Sequence, residues 1–510
     1  MEDYIVEMRH ITKRFPGIVA NDDVSIGIRK GEVYALLGEN GAGKSTLMSM
    51  LFGMYVPDAG EILVNGEEVH FHSPNDATKH NIGMVHQHFK LVENFTVAEN
   101  IVMGSEPMSR AMGIFPYVNM KKANEEIAAL SKRYGLDVNP TDKIEDIPVS
   151  TRQRVEILKM LYRSAEILIF DEPTAVLTPQ EIEFLLQIID GLRQSGKTII
   201  LITHKIEEIR KIADRCAILR HGKLIDILDV KTTPSQKMAD LMVGRAVQLQ
   251  AEKSPAHPGE PVLEVEHVTV LNQDKFPIVK DVSFSVRAGE IFAVAGVSGN
   301  GQVEVADAVY GMLPVASGSI RLKGKEITGQ TTRERFEAGM SYVPEDRQGC
   351  GLFMDMSLME NLCIRRYFKE PFSRKGRLNK KEFGTYAERL IGGYDIRSAQ
   401  GGSTPARSMS GGNQQKAIIA REIEEHADLC IFVQPTRGLD IGAIESVHRE
   451  IIAERDRGAA VLLISLELDE IMQLADTIGI MYNGEFLKIA EASTMTSLDV
   501  GKYMMGVKEA

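Results

Sequence analysis

Short apolar runs alternate with longer helix-forming stretches along this chain. Apolar runs of four or five residues occupy positions 33–37, 167–170 and 198–202, and helix-forming sequence follows each of them. Runs of that length beside helices are typical of strands buried in a parallel sheet. A hairpin pattern at 60–69 and a polar, helix-forming stretch at 97–161 lie between the first run and the second. The pattern predicts an α/β fold in which a parallel-sheet core carries an antiparallel β part and a helical lobe.

The second half of the chain repeats the first half. Gly38 and Gly296 open two similar glycine-rich loops 258 residues apart, and Pro173 and Pro435 match at a spacing of 262. A period this long exceeds that of any solenoid and indicates a duplicated domain. Proline and polar residues between the copies are typical of a linker. We therefore predict a first domain at 1–245, a linker at 246–260 and a second domain at 261–510.

The first of these loops has the composition of a phosphate-binding loop. It reads Gly-Glu-Asn-Gly-Ala-Gly-Lys-Ser at 38–45, between a predicted strand and a predicted helix. Glycines let the backbone wrap a phosphate closely, the lysine adds a mobile cation, and the serine hydroxyl can ligate magnesium. The predicted phosphate-binding residues are Gly38, Glu39, Asn40, Gly41, Ala42, Gly43, Lys44, Ser45 and Thr46.

Two carboxylates follow the apolar run at 167–170. Asp171 lies 127 residues after Lys44, and Glu172 comes next to it. An acid at the end of a strand near a phosphate loop can hold magnesium through water, and a second acid can orient and deprotonate an attacking water. His204 follows the next apolar strand, where it can reach a γ-phosphate. These residues predict nucleotide hydrolysis.

Composition excludes several classes of protein. The net charge of −12 argues against a nucleic-acid binder that depends on an overall basic field. The four cysteines form no Cys-x-x-Cys pair, so we expect buried reduced thiols. The N-terminus has no basic segment followed by an apolar one, so we expect no secretory signal, and no apolar run reaches membrane-spanning length. Any membrane association is therefore expected to come through partners.

The phosphate loop, Gln87, the Asp171–Glu172 pair and His204 together resemble the ATP-binding cassette family. The second copy adds Met-Ser-Gly-Gly-Asn-Gln-Gln at 409–415, which resembles the signature loop of that family. The resemblance covers essentially the whole chain and implies two tandem cassette domains that use ATP and Mg²⁺.

The resemblance also implies roles for individual residues. Gln87 would join Ser45 and Asp171 at the magnesium ion, and would act in catalysis with Glu172 and His204. Phe15 lies 29 residues before Lys44, where the family places an aromatic ring against adenine. In the family, the signature caps the γ-phosphate of ATP held by the opposite domain; the matching residues here are Ser410, Gly411, Gly412 and Gln414.

Each copy departs from the family pattern, and the departures are complementary. In the second copy the lysine and serine of the loop are replaced by Gln302 and Val303, and Leu466 replaces the histidine. Val433 and Gln434 replace the two acids. In the first copy the signature is eroded to Ile-Pro-Val-Ser-Thr at 147–151, where a proline lacks a donor and side chains replace glycines. Cassettes of the family pair head to tail, so that each ATP site is a composite of the phosphate loop of one domain and the signature of the other. This pairing would place all of these losses in one of the two composite sites.

Further motifs resemble the ATPases of bacterial importers for simple sugars and nucleosides. These motifs are Pro-Glu-Asp-Arg at 344–347 and Pro-Thr-Arg-Gly-Leu-Asp at 435–440. The sequence segments at 83–89, 173–179 and 465–471 look most like those of the nucleoside importers in this family. The resemblance implies two polytopic permease subunits, an extracytoplasmic solute-binding protein or lipoprotein, no nucleic acid, and a location on the cytoplasmic face of the membrane.

Three alternatives stay open at this point. The first is an importer for pentoses or hexoses. The second is a soluble tandem cassette protein that acts on ribosomes or DNA, although such proteins usually keep both sites intact. The third is a nucleotide sensor without catalysis, which the presence of Glu172 and His204 argues against.

Overall fold

The computed structural model describes residues 4–16, 18–86, 90–111, 115–174, 179–247 and 252–507. The chain divides into two compact units, at 1–247 and 248–510. Part of the predicted linker packs on the second unit, because Lys253 Nζ donates hydrogen bonds to the carbonyl of Leu474 at 2.9 Å and of Ala475 at 2.7 Å.

The first unit contains strands and helices in alternation. The strands are β1 Tyr4–Phe15, β2 Ile18–Arg29, β3 Val33–Leu37, β4 Ala59–Val64, β5 Glu67–Val69, β6 Ile82–Val85, β7 Met108–Ala111, β8 Phe115–Val118, β9 Ile167–Asp171, β10 Thr198–Thr203, β11 Arg215–Arg220 and β12 Lys223–Asp229. The helices are α1 Lys44–Leu51, α2 Pro74–Lys79, α3 Val97–Val102, α4 Met120–Tyr134, α5 Val149–Tyr162, α6 Pro179–Gln194, α7 Ile206–Ile212 and α8 Ser235–Val243.

The second unit has the same order of elements. Its strands are β13 Pro261–Leu271, β14 Pro277–Arg287, β15 Ile291–Ala295, β16 Ser317–Leu322, β17 Lys325–Glu326, β18 Met340–Val343, β19 Ser373–Arg374, β20 Arg377–Leu378, β21 Leu429–Val433, β22 Ala460–Ser465, β23 Thr477–Tyr482 and β24 Glu485–Glu491. Its helices are α9 Gln302–Tyr310, α10 Thr332–Glu337, α11 Leu358–Cys363, α12 Lys380–Gly393, α13 Gly411–Ile423, α14 Ile441–Asp456, α15 Leu468–Leu474 and α16 Ser497–Met504.

Each unit is built on two principal sheets. In the first unit they have the strand orders β2-β1-β4-β5 and β12-β11-β3-β10-β9-β6. The first of these sheets is antiparallel, and the second is parallel except for β12. The second unit repeats both orders, with β14-β13-β16-β17 and β18-β21-β22-β15-β23-β24. The predicted α/β fold of two cassette-like domains is confirmed.

The parallel sheet forms the core and sets the position of the loops. Every residue of β3, β9 and β10 is buried, as their continuous apolar sequence predicts. The register pairs Leu37 with Thr203 and Asp171 with Ile202, so these three neighbouring strands end at one edge. Ligands of open α/β sheets bind at that edge, beyond the carboxyl ends of the strands.

The helical lobe of the first unit comprises α3, α4 and α5 and also contains a β-hairpin. Strands β7 and β8 pair antiparallel between α3 and α4, where the sequence pattern indicated only helix. The sequences of these short strands, Met-Ser-Arg-Ala and Phe-Pro-Tyr-Val, do not alternate apolar and polar residues, so the pattern did not mark them. The expectation of buried cysteines holds for Cys216, Cys363 and Cys430 but is wrong for Cys350, which is exposed. Among the described residues, no helix is long and apolar enough to span a membrane.

Candidate functional site

The loop at 38–43 joins β3 to α1 and is shaped by a glycine at the start of the helix. Gly43 precedes α1 with φ of 97°, in the left-handed region. A Cβ at this position would lie 2.2 Å from the carbonyl oxygen of Ala20. Only glycine therefore lets the chain turn directly into α1, whose first N–H groups then face the loop.

Lys44 lies beneath this loop. Its side chain is only 5 % exposed, and its ammonium donates hydrogen bonds to the carbonyl oxygens of Gly38 at 2.8 Å and Glu39 at 3.0 Å. These bonds hold a positive charge inside the curve of the loop. A phosphate that accepts from the loop N–H groups would thus meet the cation as well.

Ser45 and Asp171 form the part of the site that could hold a metal. The Ser45 hydroxyl donates a hydrogen bond to Asp171 Oδ1 at 2.9 Å, although the two residues belong to different elements. Magnesium prefers a few protein oxygens together with water and substrate phosphates, and this pair fits that preference. The described residues contain no group of three or more His, Cys, Asp or Glu side chains that could hold a metal by themselves.

Glu172 and His204 meet at the ends of neighbouring strands. His204 Nδ1 lies 3.3 Å from Glu172 Oε1, and both side chains are 14 % exposed. Glu172 has φ of 45°, unusual for a residue with a side chain, and its N–H donates to the carbonyl of Ile202 at 3.0 Å. Such strain is found where a side chain must point to a fixed place.

The two carboxylates have pKa values displaced in opposite directions. Burial raises the pKa of Asp171, the hydrogen bond from Ser45 opposes that effect, and the charge of Glu172 adds to it. Burial also acts to raise the pKa of Glu172, but the hydrogen bond and electrostatic interaction with His204 and the positive charge of Lys44 outweigh it, so this pKa is lowered. Glu172 is therefore ionised at neutral pH, as a proton acceptor must be.

Phe15 lies at the end of β1 beside a second aromatic residue. The rings of Phe15 and Tyr55 meet edge to face with centroids 5.4 Å apart, and Lys13 Nζ lies 5.7 Å from the Phe15 ring centroid. Phe15 is half-buried, and Tyr55 is exposed. Tyr55 was missed by sequence reasoning, because no spacing in the sequence relates it to Phe15.

The signature of the second unit forms the start of a long helix. Ser410 precedes α13, and its hydroxyl accepts a hydrogen bond from the Asn413 amide at 2.8 Å. Ser410 and Gly411 are exposed and Gly412 is half-buried, which leaves the start of the helix accessible. Gln414 is buried instead, and its amide donates to the carbonyls of Ala406 at 3.0 Å and Met409 at 3.3 Å. Gln414 thus holds the loop in shape.

The matching helix of the first unit, α5, begins at the predicted position. Pro148 precedes it, as Ser410 precedes α13, so the spacing of 262 residues is exact here. Pro148 has no N–H and no side-chain hydroxyl, and Ser150 stands where α13 has Gly412. The helix persists, but the groups that would contact a phosphate are altered.

The loop of the second unit keeps the geometry of the first without its charge. Gly301 has φ of 98° and begins α9, as Gly43 begins α1. Gln302 is 2 % exposed, and its amide donates to the carbonyl of Val297 at 3.0 Å, the counterpart of the Lys44 bond to Glu39. A neutral amide therefore occupies the place of the ammonium.

Most of the predicted site residues of the first unit lie close together. The phosphate loop, Asp171, Glu172 and His204 converge at one sheet edge, and Thr46 lies in the first turn of α1. Gln87 lies outside the described residues. The signature of the second unit belongs to a different compact unit, so its place beside this loop stays a prediction.

Comparison with known proteins identifies the family. The profile described as "ABC transporter" matches residues 21–175 and 279–437, once in each unit. The chain is 51% identical over 99% of its length to the guanosine import ATP-binding protein NupO of Bacillus subtilis, of which 98% is covered. It is 48% identical over 98% of its length to the nucleoside import ATP-binding protein NupA of Lactococcus lactis, also 98% covered. The ribose import ATP-binding protein RbsA 2 of Streptomyces coelicolor is 39% identical, with 94% of this chain and 90% of that protein covered.

Proposed function

This chain belongs to the ABC transporter family and is an ATP-binding, ATP-hydrolysing protein, and from that premise we propose that it drives nucleoside import. It would do so from a single hydrolytic site composed of parts of both units. The observation that carries the proposal is the partly buried contact between Glu172 and His204 beside the Lys44 loop, which the other copy lacks.

The composite site would pair the loop of the first unit with the signature of the second. The loop brings Lys44, Asp171, Glu172 and His204, and the signature brings the start of α13. The reverse pairing would combine Gln302 and Val433 with Pro148, and so would lack cation, carboxylate and serine. Because losses in the two copies complement each other, we infer one working site and one degenerate site.

Within the working site, each residue of the chain has one task. The loop N–H groups and Lys44 bind the phosphates, and the aromatic ring of Phe15 stacks on the adenine. The ionised Glu172 accepts a proton from the attacking water, and His204 orients that carboxylate. The start of α13 presents its N–H groups and the Ser410 hydroxyl to the outer phosphate.

Magnesium fits this site. Ser45 and Asp171 would hold the ion with phosphate oxygens completing its shell, and Gln87 is a further proposed ligand. When bound, the ion neutralises charge that develops on the phosphates. The raised pKa of Asp171 reflects burial without that ion, and the positive charge of the ion would favour the ionised carboxylate.

The partners follow from the import function. We propose two polytopic permease subunits, an extracytoplasmic solute-binding protein, and a peripheral place on the cytoplasmic face of the membrane. Hydrolysis would reopen two units that ATP has closed, and this movement would act on the permease. Co-purification with polytopic membrane subunits supports this assignment, whereas co-purification with ribosomes or DNA would favour the soluble alternative.

The solute is proposed as a nucleoside, with pentoses and hexoses as the second candidate. The relatives named for guanosine or nucleoside import are 51% and 48% identical, against 39% for the one named for ribose import. Uptake of labelled purine and pyrimidine nucleosides, ribose and glucose should be measured in a strain that lacks this gene. We expect nucleoside uptake to fall and sugar uptake to continue. Loss of sugar uptake with intact nucleoside uptake would overturn the choice.

A further inference from the structure

Arg347 of the second unit connects two segments that flank the signature. Its Nη1 donates a hydrogen bond to the carbonyl of Gly411 at 3.3 Å, at the first residue of α13. Its Nη2 donates to the carbonyl of Arg437 at 2.9 Å, in the turn after β21. One guanidinium thus ties the start of the signature helix to the turn that follows the strand.

The guanidinium lies in a slot formed by two glycines. A Cβ on Gly411 would lie 3.4 Å from Nη1, and a Cβ on Gly438 would lie 3.6 Å from Nη2. Both distances are ordinary van der Waals contacts, so the backbones of the two glycines pack directly beside the flat guanidinium.

The segment that carries Arg347 is itself bound along α13. Residues Arg347–Gly351 form a single π-type turn, which the Asp346 carboxylate caps by accepting from the N–H groups of Gln348 at 3.0 Å and Gly349 at 2.9 Å. Arg421, near the end of α13, donates to the carbonyl of Gly351 at 3.0 Å. Arg347 at the first residue of the turn and Arg421, which bonds its last residue, thus connect this turn to α13.

An ion pair completes the arrangement. Arg437, whose carbonyl accepts from Arg347, pairs through its side chain with Glu345. Glu345 occupies the position that Gln87 has in the first copy. The family resemblance implies that the loop at this position contacts a permease. The matching position to Arg347 in the first copy is Phe89, which has no side-chain donor. The arginine therefore occurs in the copy with the intact signature.

We propose that Arg347 is a positioning residue for ATP hydrolysis, which carries a displacement of the segment at 345–351 to the signature at 410–412. The proposal rests on the composite site proposed above. Without Arg347 the helix α13 still forms, but its start is no longer held in the place where it meets the outer phosphate. Binding of ATP to the other unit does not depend on Arg347, whereas turnover and its response to the permease do.

The test uses the full chain reconstituted with its permease subunits in vesicles. Arg347→Ala should lower kcat by about 10- to 100-fold, the effect of two lost bonds from a charged donor, with ATP affinity changed by less than about two-fold. Stimulation of hydrolysis by the solute-loaded binding protein should fall towards one-fold. Arg347→Lys should restore part of the activity, because one ammonium can reach one carbonyl.

Arg389→Ala is the matched control. It removes a cation of the same unit that forms an exposed pair with Glu424 at 2.8 and 2.9 Å, and it should leave kcat and stimulation unchanged. Arg347→Ala with normal kcat and stimulation overturns the proposal, as does a loss of kcat that merely follows a loss of folded protein measured by circular dichroism. Gly412→Asp distinguishes a failure of the Arg347 proposal from a failure of the composite site on which it rests. If it is inactive while Arg347→Ala is fully active, only the role of Arg347 fails, whereas an active Gly412→Asp removes the composite site itself.

Discussion

Glu172 and Gln434 occupy equivalent places at the ends of β9 and β21. Their φ angles are 45° and 50°, and the N–H of each donates to the neighbouring strand, to Ile202 at 3.0 Å and Ile464 at 2.8 Å. The Gln434 amide oxygen accepts from the Leu466 N–H at 3.4 Å, where the first copy has His204 facing a carboxylate. The duplicated fold thus keeps its strained backbone while the side-chain chemistry of the second copy is lost.

Replacing the carboxylate of Glu172 should stop turnover and leave binding intact. Glu172→Gln removes the proton acceptor but keeps the size and backbone of the residue, so kcat should fall by about 10²- to 10⁴-fold. ATP affinity, measured at equilibrium, should stay near that of the unaltered protein. Gln434→Glu is the matched control, and it should not create activity, because Gln302 and Val433 remain. Nearly full ATPase activity in Glu172→Gln would remove the residue from its role.

Replacing the ring of Phe15 should weaken ATP binding with little effect on chemistry. Stacking of an aromatic ring on a base contributes about 1–3 kcal/mol, so Phe15→Ala should raise KM for ATP by about 5- to 150-fold at similar kcat. Phe15→Tyr should retain most of the affinity. Phe276→Ala, which removes a 67 % exposed ring from the second unit, should have no effect. An unchanged KM in Phe15→Ala would assign Phe15 to packing against Tyr55.

The last residue of β9 and the last residue of β21 are both buried, but only the first carries a carboxyl group. β9 ends in Asp171, which is 7 % exposed and accepts from Ser45, whereas β21 ends in Val433, which is fully buried. The acid with a raised folded-state pKa binds its proton more tightly in the folded than in the unfolded chain. The free energy of unfolding therefore falls as pH rises from the pKa of Asp171 in the unfolded chain to its higher pKa in the folded chain. Above the folded-state pKa, burial of the ionised carboxylate destabilises the protein by its full amount.

Removing the charge of Asp171 should accordingly stabilise the protein while it abolishes hydrolysis. Asp171→Asn should raise the unfolding midpoint in the absence of nucleotide and magnesium. The gain should be larger at about pH 8 than at about pH 4, near the ordinary pKa of an aspartic acid, where the native acid is more protonated than the unfolded one. Thermal unfolding at both pH values is the measurement. A stabilisation independent of pH would show that burial of this charge is not its cause.

The reverse change in the second unit is the counterpart. Val433→Asp would bury a carboxylate where Val303 offers no hydroxyl and Gln302 no cation. Such an uncompensated charge should destabilise the protein by about 3–5 kcal/mol. Val433→Thr, similar in shape and uncharged, should cost less. Equal stability of Val433→Asp and the unaltered protein would contradict the electrostatic explanation for the paired strand ends.

Elements with a strong pattern were predictable from sequence, and local contacts were not. The strands around 33–37 and 198–202 and the helix after Lys44 appear as predicted, because burial on both faces leaves continuous apolar runs. The β7–β8 hairpin was missed, since its strands are short and lack alternation. The contacts of Arg347 and Tyr55 were missed for another reason: each depends on a fold that brings distant segments together.

The two units of the chain are unequal, and we propose that they share one working ATP site. The starts of α5 and α13 offer a matched pair of probes, since Ser150 and Gly412 both hold the second position of their helices. An aspartate there is favourable for a helix start, so the same substitution should be tolerated by both folds. A difference in activity would then report which signature faces ATP.

The most direct test is ATPase activity of Gly412→Asp and Ser150→Asp in the reconstituted transporter. Gly412→Asp should nearly abolish hydrolysis, because its carboxylate would face the outer phosphate at close range in a water-poor interface. Ser150→Asp should cost much less, since in the proposed pairing it would face the degenerate loop at Gln302. Gly412→Ala, whose Cβ would lie 3.5 Å from Ala443, checks that added bulk alone is tolerated. Equal loss in both aspartate variants would contradict the account, because it would require two active or strictly coupled sites.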